Sequence, residues 1–194
     1  MIAVIDYDTG NLRSVANALS RLGAEFTVTD NPKAIKAADR VLLPGVGEAQ
    51  SAMAKLRERG LVEVIQSLTQ PTLGICIGVQ LMCSYSEEGE TECMGIFDSR
   101  VCKFSAESGL KVPHMGWNSI EKLSSPLFEG VDQGSYIYYV HSFAPTLSPQ
   151  TIATTTYGRE FSAALQCGNF YGTQFHPEKS GEIGEKILSN FLKL

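Results

Sequence analysis

The first 83 residues alternate short apolar runs with segments of helical periodicity, and this alternation restricts the possible fold more than any other feature. Apolar runs at 2–5, 41–43 and 72–75 predict strands, of which the first is buried, and 25–29 is also strand-like. Between them, 12–22, 32–38 and 52–56 carry apolar residues at helical spacing, and Gly23 ends the first of these helices. A strand–helix repeat of this kind predicts a parallel sheet with helices packed against it.

The second half of the chain has a different pattern. Short runs rich in β-forming residues lie at 136–143, 152–157, 161–166 and 170–174 and predict antiparallel or mixed strands, while 182–194 predicts an amphipathic terminal helix. A chain of 194 residues with 43% hydrophobic residues can bury a core without disulfides or metals. Because the sequence has neither a linker nor a repeat, we expect residues 1–194 to form a single domain.

Charge and cysteine content exclude several classes of function. The net charge is −5 and no run of Lys or Arg is present, which argues against a nucleic-acid partner and favours a small molecule or a protein. The five cysteines are odd in number and include no CxxC pair, so we expect neither a disulfide framework nor a zinc site. With no signal-like start and no apolar run of membrane-spanning length, we expect a cytoplasmic protein.

A candidate nucleophile lies where the fourth predicted strand passes into a helical pattern. Cys76 is flanked by Gly74 and Gly78, which is the arrangement of a nucleophile elbow. The glycines leave room for the strand and the helix to approach, and the start of a helix favours the nucleophilic thiolate form of a cysteine. A buried, unreactive cysteine is the alternative, and for the other four cysteines it is the preferred interpretation.

A thiol that exchanges protons needs a base, and the chain has only three histidines. His176 follows a predicted strand, and Glu178 lies two residues on, across a proline that stiffens the turn. The carboxylate could then orient the imidazole. His114 and His141 lack such a carboxylate, so we predict His176 to be the base.

These motifs resemble those of a known enzyme family. The segment GICIGVQ at 74–80 and FHPEKS at 175–180 closely resemble the class-I (triad-type) glutamine amidotransferases. The segments PGVG at 44–47, PHMGWN at 113–118, YVHS at 139–142 and DYDTGN at 6–11 resemble the branch that supplies imidazole glycerol phosphate synthases in histidine biosynthesis. The resemblance covers nearly the whole chain and implies an α/β fold, a flavodoxin-like three-layer sandwich around a mixed, mostly parallel sheet.

The resemblance also assigns roles to residues. The implied catalytic triad is Cys76, His176 and Glu178. The residues implied to hold glutamine are Gln80, Val140, His141 and Ser142. The implied oxyanion-binding backbone is that of Gly45, Val46, Gly47 and Ile77. The positions associated with a subunit interface are Asn11, Trp117, Tyr138 and Lys179. No metal and no organic cofactor are implied.

The implied partner is a separate cyclase subunit, a phosphate-binding (β/α)8 barrel that forms a heterodimer with the glutaminase. The glutaminase hydrolyses glutamine and passes ammonia to the cyclase, which converts the ribulosyl intermediate PRFAR to imidazole glycerol phosphate and AICAR. Related enzymes usually have Pro-Gly-Gly where this chain has Val46, and the Val46 amide is expected to face the oxyanion only when the partner is loaded. The loss of one such donor typically costs ~3 kcal/mol of transition-state stabilisation.

Two alternatives remain open from the sequence. The chain could be the glutaminase subunit of another amidotransferase, such as one that serves anthranilate or pyridoxal phosphate synthesis. Val46 and the segment at 113–118 argue against this alternative. The chain could also be a regulatory binding module without activity, which the complete Cys-His-Glu set disfavours.

Overall fold

The computed structural model describes residues 1–8, 11–105 and 109–194; Thr9 and Gly10 of the opening motif lie outside the described residues. In chain order the strands are β1 (Ile2–Ile5), β2 (Phe26–Thr29), β3 (Arg40–Gly45), β4 (Thr72–Cys76), β5 (Tyr85–Ser86), β6 (Thr91–Glu92), β7 (Arg100–Lys103), β8 (His114–Ser119), β9 (Tyr136–His141), β10 (Phe143–Pro145), β11 (Thr151–Tyr157), β12 (Arg159–Cys167) and β13 (Phe170–Thr173). The α-helices are α1 (Leu12–Arg21), α2 (Pro32–Ala37), α3 (Ala49–Glu58), α4 (Val62–Gln66), α5 (Ile77–Met82) and α6 (Gly181–Phe191).

The main sheet has seven strands in the order β2-β1-β3-β4-β13-β12-β11. The first five run parallel, and β12 and β11 extend the sheet in antiparallel pairs. When the five parallel strands are counted in chain order, with β13 as the fifth, their spatial order is 2-1-3-4-5. This is the flavodoxin-like arrangement. The expected mixed, mostly parallel α/β sheet is therefore confirmed.

Side chains alternate across this sheet and so build a core on each face. On β1, Ile2 and Val4 join the core that includes α1 and α6, whereas Ala3 and Ile5 join the core that includes α2, α3, α4 and α5. Helices on both faces of one sheet form the three layers that the family resemblance implied.

Several elements of the fold were not predicted from the sequence pattern, which detects long periodic segments best. The pattern did not predict α4, nor the strands β5, β6 and β7, which form a four-stranded sheet with β10. It predicted 136–143 as one strand, but β9 ends at His141 and β10 begins at Phe143, in a different sheet. These elements are only two to six residues long, so periodicity carries little signal for them.

Among the described residues, none of the helices is both long enough and apolar enough to cross a membrane.

Candidate active site

A pocket of about 370 Å³ opens at the carboxyl ends of the parallel strands β3, β4 and β13. Sites of open α/β sheets gather at this edge, and the volume lies within the usual range for small-molecule pockets. The pocket is lined by Val46, Gly47, Cys76, Ile77, Gln80, Glu88, Pro113, Val140, His141, Ser142, Phe143 and His176. Two of the three predicted triad residues and all four predicted glutamine-binding residues are among them.

Cys76 lies in the tight turn between β4 and α5, with backbone angles φ 55° and ψ −108°. A non-glycine residue in this region is strained, and such strain is typical of functional turns. The flanking glycines allow the turn. A Cβ atom on Gly74 would lie 2.7 Å from the carbonyl carbon of Gly78, and one on Gly78 would lie 1.9 Å from the carbonyl oxygen of Leu43. The spacing of the motif thus has a steric cause.

His176 follows β13, and its imidazole Nδ1 donates a hydrogen bond to Glu178 Oε1 over 2.7 Å. Both side chains are buried. The same carboxylate oxygen accepts a second hydrogen bond from the Asn11 side-chain amide over 2.6 Å. The backbone N–H of His176 donates to the carbonyl of Tyr138 on β9, which fixes the start of this turn.

Asn11 was predicted at a partner interface, but it is 5% exposed and its side chain contacts Glu178. This contact was not predicted because 167 residues separate the two partners.

The charges around His176 favour its protonated form. Burial lowers the pKa of His176, but the negative charges of Cys76 and Glu178 and the hydrogen bond to Glu178 outweigh burial and raise the pKa to about 10. Burial raises the pKa of Glu178, yet the hydrogen bonds from His176 and Asn11 outweigh it and lower the pKa. His176 Nε2 is buried and has no hydrogen-bond partner among the described residues, so it is free to exchange a proton with a reactant.

The other two histidines are buried as neutral groups. Burial lowers the pKa of His114 to about 4 and that of His141 to about 3. His141 Nδ1 donates to the carbonyl of Phe143 over 2.8 Å, and His141 Nε2 lies 3.0 Å from His114 Nδ1. Both ring nitrogens of His141 have hydrogen-bond partners within the protein. His141 therefore contributes to the pocket through its position and its backbone, not through its ring nitrogens. Neither histidine has the electrostatics of a base near neutral pH.

Gln80 projects from α5 into the same site. Its Nε2 donates to the carbonyl of Phe143 over 3.0 Å and to Gln174 Oε1 over 2.9 Å. Its Oε1 is buried without a partner among the described residues. A buried acceptor without a partner costs free energy unless a ligand satisfies it, so this oxygen marks a position where a bound molecule would place a donor.

The residues predicted to bind the oxyanion lie near Cys76. Val46, Gly47 and Ile77 line the pocket, and Gly45 pairs with Cys76 across the neighbouring strands β3 and β4. Gly47 has φ 102°, a conformation that glycine adopts without strain. The segment 45–47 therefore begins beside Cys76 and continues along the pocket.

Glu88 was not identified from the sequence, where 87–90 reads as a solvated acidic run. Its side chain lines the pocket, and its Oε2 accepts a hydrogen bond from the backbone N–H of Ala49 over 2.8 Å. Burial raises its pKa, and the hydrogen bond from Ala49 partly opposes this. Glu88 places a carboxylate in the pocket that contains Cys76. Among the described residues, no group of three or more His, Cys, Asp or Glu side chains could hold a metal ion.

Beside the pocket, β8 and β9 form a two-stranded ribbon whose outer face is apolar. Met115, Trp117 and Tyr136 are 61%, 55% and 61% exposed on this ribbon. Trp117 and Tyr138 are cross-strand partners with ring centroids 6.0 Å apart. Lys179 is exposed in the short 3₁₀ helix Pro177–Lys179. Three of the four predicted interface residues thus reach the surface.

Comparisons with known proteins agree with this geometry. The sequence model described as "Glutamine amidotransferase class-I" matches residues 3–194. The chain is 54% identical to the imidazole glycerol phosphate synthase subunit HisH of Bacteroides fragilis, covering 100% of this chain and 99% of that protein. It is 52% identical to the subunit of the same name from Bacteroides thetaiotaomicron, with the same coverage of 100% and 99%. A crystal structure described as a glutamine amidotransferase superposes with a TM-score of 0.76 at 16% identity, covering 100% of this chain and 98% of that chain.

Proposed function

The chain belongs to the class-I glutamine amidotransferase family, and on that basis we propose that it is the glutaminase subunit of imidazole glycerol phosphate synthase. It hydrolyses glutamine to glutamate and ammonia and delivers the ammonia to a cyclase subunit. The observation that carries the proposal is that the strained Cys76 and His176 line one pocket, with Glu178 hydrogen-bonded to His176. We propose that residues 1–194 act as one domain and that the protein works in the cytoplasm.

The reaction proceeds through a covalent intermediate. The Cys76 thiolate attacks the side-chain amide carbon of glutamine, and a tetrahedral oxyanion forms. Protonated His176 gives a proton to the amide nitrogen, the C–N bond breaks, and ammonia leaves a γ-glutamyl thioester. Neutral His176 then takes a proton from water as the water oxygen attacks the thioester carbon. The C–S bond breaks, glutamate departs, and the Cys76 thiolate and protonated His176 re-form. The raised pKa of His176 keeps the proton available for the first half of this cycle.

Glu178 and Asn11 keep the imidazole productive. The carboxylate accepts a hydrogen bond from Nδ1–H, so Nε2 faces the reacting atoms. Asn11 holds the carboxylate through the second hydrogen bond to Oε1.

Two groups in the pocket match the polar ends of glutamine. The carboxylate of Glu88 provides an opposite charge for the α-ammonium group, and Gln80 Oε1 accepts a hydrogen bond from a substrate N–H. Val140, His141 and Ser142 form the facing wall, with the Val140 carbonyl 4.0 Å from Cys76 Sγ.

Backbone N–H groups of Gly47 and Ile77, together with that of Val46, bind the oxyanion in the active state. In the free subunit the Val46 amide is turned away, and cyclase loaded with its ligand turns it towards the oxyanion. Because the loss of one donor costs ~3 kcal/mol, a turned amide would slow the free subunit by roughly 100-fold.

The partner is the cyclase subunit, a (β/α)8 barrel that forms a heterodimer with this chain and converts PRFAR to imidazole glycerol phosphate and AICAR. It docks on the apolar face of the β8–β9 ribbon, where Trp117 and Tyr138 supply aromatic contact area and Lys179 supplies a charge. This ribbon also contacts the active site, because the carbonyl of Tyr138 accepts a hydrogen bond from the backbone N–H of His176.

Cys76→Ala tests the proposal. In the complex with cyclase, this variant should lose glutamine-dependent synthesis but keep synthesis from added ammonium salts. Cys167→Ala is the matched control, since Cys167 is half-buried at the end of β12 and should leave both activities intact. Loss of both activities in the Cys76 variant would contradict the role of ammonia donor.

Partner gating needs a second measurement. Glutamine hydrolysis is measured with this chain alone, with cyclase, and with cyclase plus its nucleotide ligand. We expect a stepwise increase, and full activity of the chain alone would refute the gating by Val46.

A further inference from the structure

A line of two glutamines lies directly behind the nucleophile. Gln174 follows β13, is fully buried, and places its Nε2 3.8 Å from Cys76 Sγ. Its Oε1 lies 2.9 Å from Gln80 Nε2, and Gln80 Nε2 also lies 3.0 Å from the carbonyl oxygen of Phe143. The mechanism proposed above gives Gln174 no role, although it contacts the attacking atom.

The direction of these hydrogen bonds is fixed by the carbonyl at the end of the line. A backbone carbonyl only accepts, so the Gln80 group that faces Phe143 must be the amide NH₂. The second hydrogen of that NH₂ points to Gln174, which must therefore present its oxygen to Gln80. The remaining group of Gln174, which faces Cys76, is consequently its NH₂.

The Phe143 carbonyl is itself held in place. It accepts a second hydrogen bond from His141 Nδ1, and His141 Nε2 is paired with His114 Nδ1. His114 Nε2 lies 3.3 Å from the side-chain amide nitrogen of Asn118 on β8. When both imidazoles are neutral, every ring nitrogen in this series of hydrogen bonds has a partner, and each ring N–H points towards the Phe143 carbonyl. The orientation of Gln174 is therefore anchored in the ribbon as well as in α5.

We propose that Gln174 holds and stabilises the Cys76 thiolate by donating a hydrogen bond from its side-chain NH₂, whose orientation is fixed by the network. A sulfur anion accepts such a bond more strongly than a neutral thiol does, so the contact favours the nucleophilic form. It also fixes the direction of the sulfur in the pocket. This inference rests on the proposed function, because it gives Gln174 a role in glutamine hydrolysis.

The test measures how readily Cys76 forms its thiolate in the full chain. The rate constant for alkylation by iodoacetamide is determined from about pH 5 to about pH 10, and mass spectrometry of the peptide that contains Cys76 separates it from the other cysteines. The variants are Gln174→Met, which removes the donor at similar size, and Gln174→Glu, which keeps the shape and adds a negative charge. Gln166→Met is the matched control, because Gln166 also makes two side-chain hydrogen bonds, to Ser125 and Tyr171, away from the site.

We expect the midpoint of the Cys76 alkylation profile to rise by about one pH unit in Gln174→Met and by more in Gln174→Glu, with no shift in Gln166→Met. In the loaded complex, kcat of Gln174→Met should fall about tenfold near neutral pH and recover as the pH is raised. A residue that only fills space would change the melting temperature and leave the midpoint in place. Unchanged midpoints in both Gln174 variants, or an equal shift in the control, would overturn the inference.

The result is separable from the proposed function, because alkylation requires neither glutamine nor cyclase. If the wild-type chain hydrolyses glutamine with cyclase and the midpoints do not move, the role of Gln174 fails alone. If the wild-type complex never hydrolyses glutamine, the proposed function fails whatever the alkylation profiles show, and the role of Gln174 in that reaction fails with it.

Discussion

Gly78→Ala adds a single methyl group where α5 packs against β3. Gly78 lies two residues after the nucleophile, and a Cβ atom there would meet the carbonyl oxygen of Leu43 at 1.9 Å. Real Cβ atoms do not approach other heavy atoms more closely than 3.0 Å. The helix must therefore retreat from the strand by roughly 1 Å, since the obstructing atom belongs to the backbone of a central strand and cannot rotate away.

The expected magnitudes follow from that displacement. Overpacking of a close-packed interface typically costs about 1–3 kcal/mol, and we expect the upper part of this range because the contact is with backbone. A misplacement of about 1 Å at a catalytic group can cost about 100-fold in rate. Gly78→Ala should therefore lower the free energy of unfolding by about 3 kcal/mol and glutamine hydrolysis in the loaded complex by at least about 100-fold.

Gly23→Ala is the control for the general cost of replacing a glycine. Gly23 lies in the turn that follows α1 and has φ +68°, and no atom lies within 4 Å of an added Cβ. It should cost about 1 kcal/mol of backbone strain and leave the rate unchanged. Urea titration gives the free energy of unfolding, and a coupled glutamate assay gives the rate. If Gly78→Ala hydrolyses glutamine at the wild-type rate, the steric account of the Gly-x-Cys-x-Gly spacing is wrong.

Three further predictions concern the surroundings of the triad. Asn11→Leu removes a charged hydrogen bond worth about 2 kcal/mol from the Glu178 carboxylate, so kcat of the loaded complex should fall by up to roughly 30-fold with KM unchanged; a change in KM alone would point to a role in substrate binding. His114 and His141 have lowered pKa values of about 4 and 3, so the unfolded chain binds more protons and stability falls with decreasing pH below about 6.5. Near pH 5 the slope should be about 2.5 kcal/mol per pH unit from the two groups and about half of that in His114→Gln, measured by urea titrations at several pH values; equal slopes would refute the neutral pair. Trp117→Ala should weaken cyclase binding at least tenfold in calorimetry, whereas Leu147→Ala, which truncates another exposed apolar side chain, should not.

Local sequence determined the elements that depend on neighbouring residues. The apolar runs and helical stripes of the first 83 residues predicted β1, β3, β4 and α1 to within a few residues. Strands that are buried on both faces of a parallel sheet appear in the sequence as continuous apolar runs. The turn at Cys76 was also visible, since only small flanking residues permit that backbone. His176 and Glu178 were recognisable because they are two residues apart and their contact is made within one turn.

Tertiary structure decided which distant side chains complete the site. Asn11 reaches Glu178 across 167 residues, and Gln174 reaches Cys76 across 98. Glu88 belongs to an acidic run that is indistinguishable from solvated surface until the fold places it in the pocket. Hydrogen bonds of this kind leave no periodicity in the chain, because they depend on where strands end in space.

The nucleophile shows where the two kinds of information divide. Its sequence alone determined that Cys76 lies in a strained turn between a strand and a helix, because that constraint is local and steric. Only the folded chain decided what surrounds the sulfur: an imidazole held by a carboxylate on one side, and an amide whose orientation is fixed by the Phe143 carbonyl on the other. The direction of a hydrogen bond is set by the last obligate acceptor in its network, and that acceptor is found only when the strands are assembled.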